Sequence, residues 1–170
     1  HQIPGVLDML NVKYILFPNQ ESGLLEPMRN PNVLGSVWTV QKLHEMPNAD
    51  SLLKRLKTTD FKKEAIFIKG SIGPEVTKEY EFDSLATIEL YEVAPNKMRY
   101  RSSSKFSQFA IFSEMYYSKG WTATVNGKET PIFNLNYVLR GISLAPGISE
   151  IEFLFDPQII SKGTSIRWIC

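Results

Sequence analysis

From Ala86 to Phe155, apolar and aromatic runs recur about every ten residues, each closed by turn-forming residues. That rhythm suits an antiparallel sandwich or jelly roll and does not suit helices, which need a longer 3.6-residue period. The expected strands are Ala86 to Ala94, Lys97 to Ser103, Gln108 to Tyr116, Thr122 to Val125, Lys128 to Ile132, Tyr137 to Ser143 and Ser149 to Phe155. Three turns punctuate them. Pro95-Asn96 separates the first pair, and Asn126-Gly127 is a hairpin signal, because a type I′ turn needs positive φ at both central residues. Pro146-Gly147 suits a type II turn. In the last strand Ile151, Phe153 and Phe155 share one face while Glu150 and Glu152 share the other, as on a half-solvated sheet.

The first 75 residues read differently. Leu7 to Phe17 looks like a short helical or turning segment leading into a strand from Val12. Residues 19–36, rich in Asn, Pro and Gly, read as loop, and Val37 to Leu43 alternates like a strand. Asn48 and its neighbours offer an N-cap ahead of Ser51-Leu52-Leu53-Lys54-Arg55-Leu56, whose leucines fall on one helical face. Ala65 to Lys69 suits a strand, and a boundary is expected near residues 70–80. The expected class is therefore α+β, mainly β: a small α/β element (1–75), an antiparallel β-sandwich (76–165), and an apolar end (166–170) suited to the start of a transmembrane helix or, equally, to a final edge strand.

Charge narrows the function. Nineteen basic side chains against 18 acidic ones leave no basic field to hold a nucleic-acid backbone. Cys170 is the single cysteine, so no intrachain disulfide or cysteine-based zinc cluster can be drawn, and no cofactor or metal is expected. The chain opens on His1 with neither a signal-peptide pattern nor a long apolar run, as a piece cut from a longer protein would.

The stretch from Phe112 to Ile132 carries an aromatic strand, a Tyr116-Tyr117-Ser118-Lys119-Gly120-Trp121 corner and a Val125-Asn126-Gly127-Lys128 hairpin. Asn134 to Gly141, Leu144-Ala145-Pro146-Gly147, Glu150 to Phe153 and Phe155-Asp156-Pro157 follow, and Leu10-Asn11-Val12-Lys13-Tyr14 stands near the start. Together these resemble the YfhO family of bacterial membrane proteins. The resemblance implies a polytopic parent similar to membrane glycosyltransferases that use lipid-carried sugars. It also implies that this domain lies outside the cytoplasmic membrane, anchored through the parent, with the catalytic acids in the membrane part. No catalytic residue carries over, so the chain is expected to be a non-catalytic accessory domain. The partners implied are the parent's transmembrane part and an envelope polysaccharide.

The candidate carbohydrate-binding residues are Trp121, Tyr117, Asn134, Asn136, Tyr137 and Arg140. An aromatic face suits the apolar face of a pyranose, although a Trp at a strand corner more often closes the end of a sandwich core. Asn134, Asn136 and Arg140 alternate and are expected to offer amides and a guanidinium on one side; otherwise the asparagines serve loop backbone and Arg140 pairs with a neighbouring acid. Glu79, Glu81 and Asp83 alternate too, but hydrolysis of a glycosidic bond needs carboxylates facing across a cleft, so a solvated edge is expected. His44 has no companion ligand nearby and reads as a surface residue, and the cations from Lys54 to Lys63 read as a solvated face. The alternative to glycan positioning is a packing module without sugar contact, which predicts an exposed apolar patch.

Overall fold

In a computed structural model, residues 4–20 and 22–156 are described. The chain begins with a helix, α1 (Pro4–Met9), and a hairpin of β1 (Tyr14–Pro18) and β2 (Leu25–Arg29). Then come β3 (Val37–Val40), β4 (Lys42–Met46), α2 (Ala49–Arg55) and β5 (Glu64–Ile68). The remaining strands are β6 (Thr87–Ala94), β7 (Lys97–Ser104), β8 (Gln108–Met115), β9 (Trp121–Val125), β10 (Lys128–Thr130), β11 (Phe133–Leu135), β12 (Leu139–Leu144) and β13 (Gly147–Phe155).

These strands build three layers. A five-stranded antiparallel sheet in the order β10-β9-β13-β7-β6 faces a four-stranded one in the order β11-β12-β8-β3. Between them lie Met98, Tyr100, Ala110, Phe112, Ala123, Ile142, Leu144, Ile151 and Phe153. The four-stranded sheet is covered on its other side as well. There Phe109, Ile111, Leu135 and Leu139 meet Leu52, Leu56, Ile66 and Phe67 of the α/β layer, in which β4 and β5 pair in parallel across α2. The period-2 geometry of a strand explains the division along β8: Phe109 and Ile111 point one way, Ala110 and Phe112 the other. Covered on both faces, this strand reads as an unbroken apolar run instead of alternating.

The mainly-β class with a small α/β element is what forms. Val37 to Leu43 does not continue as one strand: the chain passes through Gln41 from the four-stranded sheet into the parallel pair. By placing β3 beside β8, it ties the first part of the chain into the sandwich across the boundary expected near residues 70–80. The loop expected over 19–36 contains β2, whose Pro27 is tolerated because the two-stranded sheet leaves that strand an open edge. The apolar end at 166–170 lies outside the described residues. Among the described residues no helix is long and apolar enough to cross a membrane.

Local signals fare as physics requires. Asn48 caps α2, its side-chain oxygen accepting from the Ser51 backbone N–H at 2.9 Å. Asn126 and Gly127 adopt φ of 51° and 76°, the two positive corners of the expected tight turn between β9 and β10. Gly141 is needed for a different reason. A Cβ there would stand 2.5 Å from Phe109 and 2.6 Å from Leu135, both fully buried, so the backbone of β12 approaches its neighbours as no side chain would permit.

Candidate functional site

Phe112 from the four-stranded sheet stands edge-on to Tyr100 and Phe153 from the five-stranded one, with ring centroids 4.7 and 4.8 Å apart. The stack continues toward one end of the sandwich through Arg140, whose guanidinium carbon lies 5.5 Å from the Phe153 ring centre and 4.1 Å from that of Trp121. Trp121 in turn leans on Phe155 at 5.1 Å. Thus one face of the Trp121 ring is backed by a buried cation and its flank by an aromatic, which holds a half-buried side chain in one position.

Arg140 is only 4 % exposed, and its Nε donates to the Met115 carbonyl at 2.9 Å. Burial lowers the pKa of its guanidinium, opposed by the charge of Glu114 and by Tyr100. The Tyr100 hydroxyl is pushed well above its ordinary value, again chiefly by burial. Arg140 therefore neither projects to solvent nor pairs with an acid within salt-bridge distance among the described residues, contrary to both sequence expectations. The carbonyl and two π faces offset part of its cost in hydration, while its Nη1 is buried without a hydrogen-bond partner.

On the outer side of this end the loop before β9 and the segment after β10 enclose a shallow depression of about 220 Å³. Trp121 and Tyr117 line it together with Tyr116, Ser118, Thr122 and Glu129. Tyr117 is 55 % exposed, so its ring is available to a ligand. The corner itself depends on Gly120, at φ 93°, whose carbonyl accepts from the Asp156 N–H at 2.8 Å. Aromatic rings beside the hydroxyls of Ser118, Thr122 and Thr130 and a carboxylate form the mixture that a sugar ring demands: one flat apolar face and a fringe of hydrogen-bonding groups.

The other candidates do not join it. Asn134 sits opposite Arg140 in the β11–β12 register, yet it lines, with Tyr137, Leu52, Ile68 and Ser71, a separate crevice of about 30 Å³. Asn136 is fully buried at φ 50° and bonds to the α/β layer: its N–H donates to the Ile66 carbonyl at 2.8 Å, and its side-chain oxygen accepts from the Ile66 N–H at 2.9 Å. The three alternating polar residues thus face different surroundings, because positive φ at Asn136 and Tyr137 breaks the strand between them. Ser118 and Glu129, which sequence reasoning passed over, were legible only as ordinary turn and strand residues.

Asp83, the last of the three alternating acids, is spent on structure. It accepts from the N–H groups of Lys105 and Leu85 at 2.8 and 2.9 Å and from the Ser104 hydroxyl at 3.1 Å. His44 faces Glu64 across the parallel pair at 3.2 Å, and no group of acids, histidines or cysteines able to hold a metal occurs among the described residues.

The wet face of the five-stranded sheet carries an ion-pair ladder. Glu92 meets Lys97 and Arg99, Arg99 meets Glu152, and Arg101 meets Glu150, which also accepts from the Tyr91 hydroxyl. Hydrogen bonding to Lys97 lowers the pKa of Glu92, hydrogen bonds from Arg101 and Tyr91 lower that of Glu150, and the Lys105 and Leu85 N–H groups lower that of Asp83. A carboxylate whose folded-state pKa is depressed stabilises the fold above its unfolded value, and that contribution is lost as pH falls through the folded value. The melting temperature is therefore expected to hold from pH 7 to about 5 and to fall below about 4, the ordinary carboxylate range. Glu150→Gln should show a shallower fall; thermal melts across pH check this, and parallel curves would contradict it.

The fold thus defines a two-sheet, mainly-β domain with a covering α/β layer and an aromatic depression at one end of the sandwich. A family model described as bacterial membrane protein YfhO matches residues 79–167, more than half of the 170-residue chain. The chain belongs to the YfhO family of bacterial membrane proteins. No curated protein and no solved structure matches it.

Proposed function

We propose that this chain is a non-catalytic, extracytoplasmic domain of a membrane glycosyltransferase-like parent, and that it positions an envelope glycan acceptor beside the membrane part. The observation that carries the reading is the Trp121–Tyr117 depression: one ring packed against buried Arg140, a second ring exposed, and polar groups around both. Its volume of about 220 Å³ suits one sugar ring of a longer polymer rather than a whole ligand. Ring stacking costs little entropy when the platform is already fixed. Glu129 is the one carboxylate that lines it, whereas cleavage of a glycosidic bond uses two, which supports holding over hydrolysis.

Binding of envelope polysaccharide fragments on a glycan array, followed by calorimetry on the best ligand, tests this. Tyr117→Ala should weaken binding about tenfold, equivalent to about 1.4 kcal/mol, without altering the thermal transition, since the ring is exposed. A packing module without sugar contact would give silence across the array, or binding indifferent to Tyr117.

A further inference from the structure

The β1–β2 hairpin is a two-stranded sheet of its own, separate from the sandwich. Its register sets Tyr14 opposite Arg29, Leu16 opposite Pro27 and Pro18 opposite Leu25, so these six side chains share one face. All six are exposed, Tyr14, Leu16 and Leu25 at 62, 59 and 62 %, and Leu24 in the connecting turn at 70 %. On the other face Ile15 and Phe17 of β1 are half-buried, while Met28, at 55 %, and Glu26 of β2 are exposed. The base is anchored: the Asn30 N–H donates to the Lys13 carbonyl at 2.8 Å, and the Asn30 amide donates to Asp8 at 2.8 Å and to the Val12 carbonyl at 3.1 Å. A two-stranded hairpin in water is marginal by itself, and this one is held in place while displaying its apolar side chains.

Charge decides what covers them. Among the described residues the one charged side chain on the exposed face is Arg29, at the base; Lys13, one residue before Tyr14, is exposed too but takes the alternate position along the strand. Glu26 lies on the opposite face, where it accepts from the Asn19 amide at 2.6 Å. Leucines at the tip with cations and a tyrosine at the base match the layering of a lipid surface: acyl chains below, headgroups above. We propose that this hairpin seats its Tyr14, Leu16, Leu24 and Leu25 face in an anionic lipid surface, which orients the domain on the membrane that its family inhabits. The seat lies on a different sheet from the aromatic depression, so it stands independently of sugar binding.

Cosedimentation of the full chain with vesicles of phosphatidylethanolamine and phosphatidylglycerol, and with vesicles of phosphatidylcholine alone, tests the proposal. The chain is expected to partition onto the anionic vesicles. Leu16→Glu with Leu25→Glu should reduce partitioning at least about tenfold while leaving the thermal transition in place, because both residues are exposed. Lys13→Gln with Arg29→Gln should abolish the preference for anionic vesicles, and Tyr117→Ala should change nothing. No partitioning above a vesicle-free control, partitioning indifferent to the leucine pair, or association with the detergent-solubilised parent alone would each overturn it.

Discussion

Phe112→Ala is expected to lower stability by about 3–5 kcal/mol, the loss typical of a large aromatic deleted from a packed interior. Phe112 is fully buried and makes the edge-on contacts to Tyr100 and Phe153 that join the two sheets. Collapse around the deletion is limited, because the α/β layer covers the far side of the same sheet through Phe109 and Ile111. Urea denaturation monitored by circular dichroism measures the effect. A loss below about 1 kcal/mol, the level of a surface substitution, would mean that the sheets do not meet at this ring.

Asn136→Ala should cost about 2–4 kcal/mol, combining an orphaned buried donor with positive φ at a residue that has a Cβ. The donor is the Ile66 N–H, which has the Asn136 side chain as its acceptor, and Asn136 adopts φ 50°. Asn136→Gly separates the two contributions, since glycine accepts the backbone conformation but supplies no oxygen. Because this pair ties the α/β layer to the end of β11, the Ile66 amide should also lose protection in hydrogen exchange. Equal stability of the alanine and glycine variants would show that only the missing oxygen matters.

Much of this architecture is legible in the chain. Ile151 and Phe153 alternate with Glu150 and Glu152 because one face of β13 is dry and the other carries the ion-pair ladder. The run Phe109-Ala110-Ile111-Phe112 lacks such alternation because β8 lies between two layers. Other features leave no local trace. β2 hides behind Pro27 and a polar neighbourhood, and β11 is only three residues long. Asn136 reads as a loop residue because nothing nearby in sequence announces Ile66, seventy positions away. Arg140 reads as a surface cation, since a guanidinium is rarely buried, and its surroundings, the rings of Trp121 and Phe153 and the Met115 carbonyl, are brought close only by the fold. In contrast, the uninterrupted Tyr14-Ile15-Leu16-Phe17 carries a usable signal. A strand apolar on both faces must cover both, and in β1 only Ile15 and Phe17 are half-buried, whereas Tyr14 and Leu16 stay exposed.

The central claim is that the depression at Trp121 holds a glycan, and its indole N–H is the probe closest to it. Trp38 provides an internal reference, because its indole N–H is buried and donates to the Phe61 carbonyl at 2.8 Å, in the core on the far side of the four-stranded sheet. In a heteronuclear titration with envelope polysaccharide fragments, the Trp121 signal should shift saturably while that of Trp38 stays fixed, and Trp121→Ala should abolish binding in a folded protein. A Trp121 signal that stays as still as that of Trp38 throughout the titration would contradict the account.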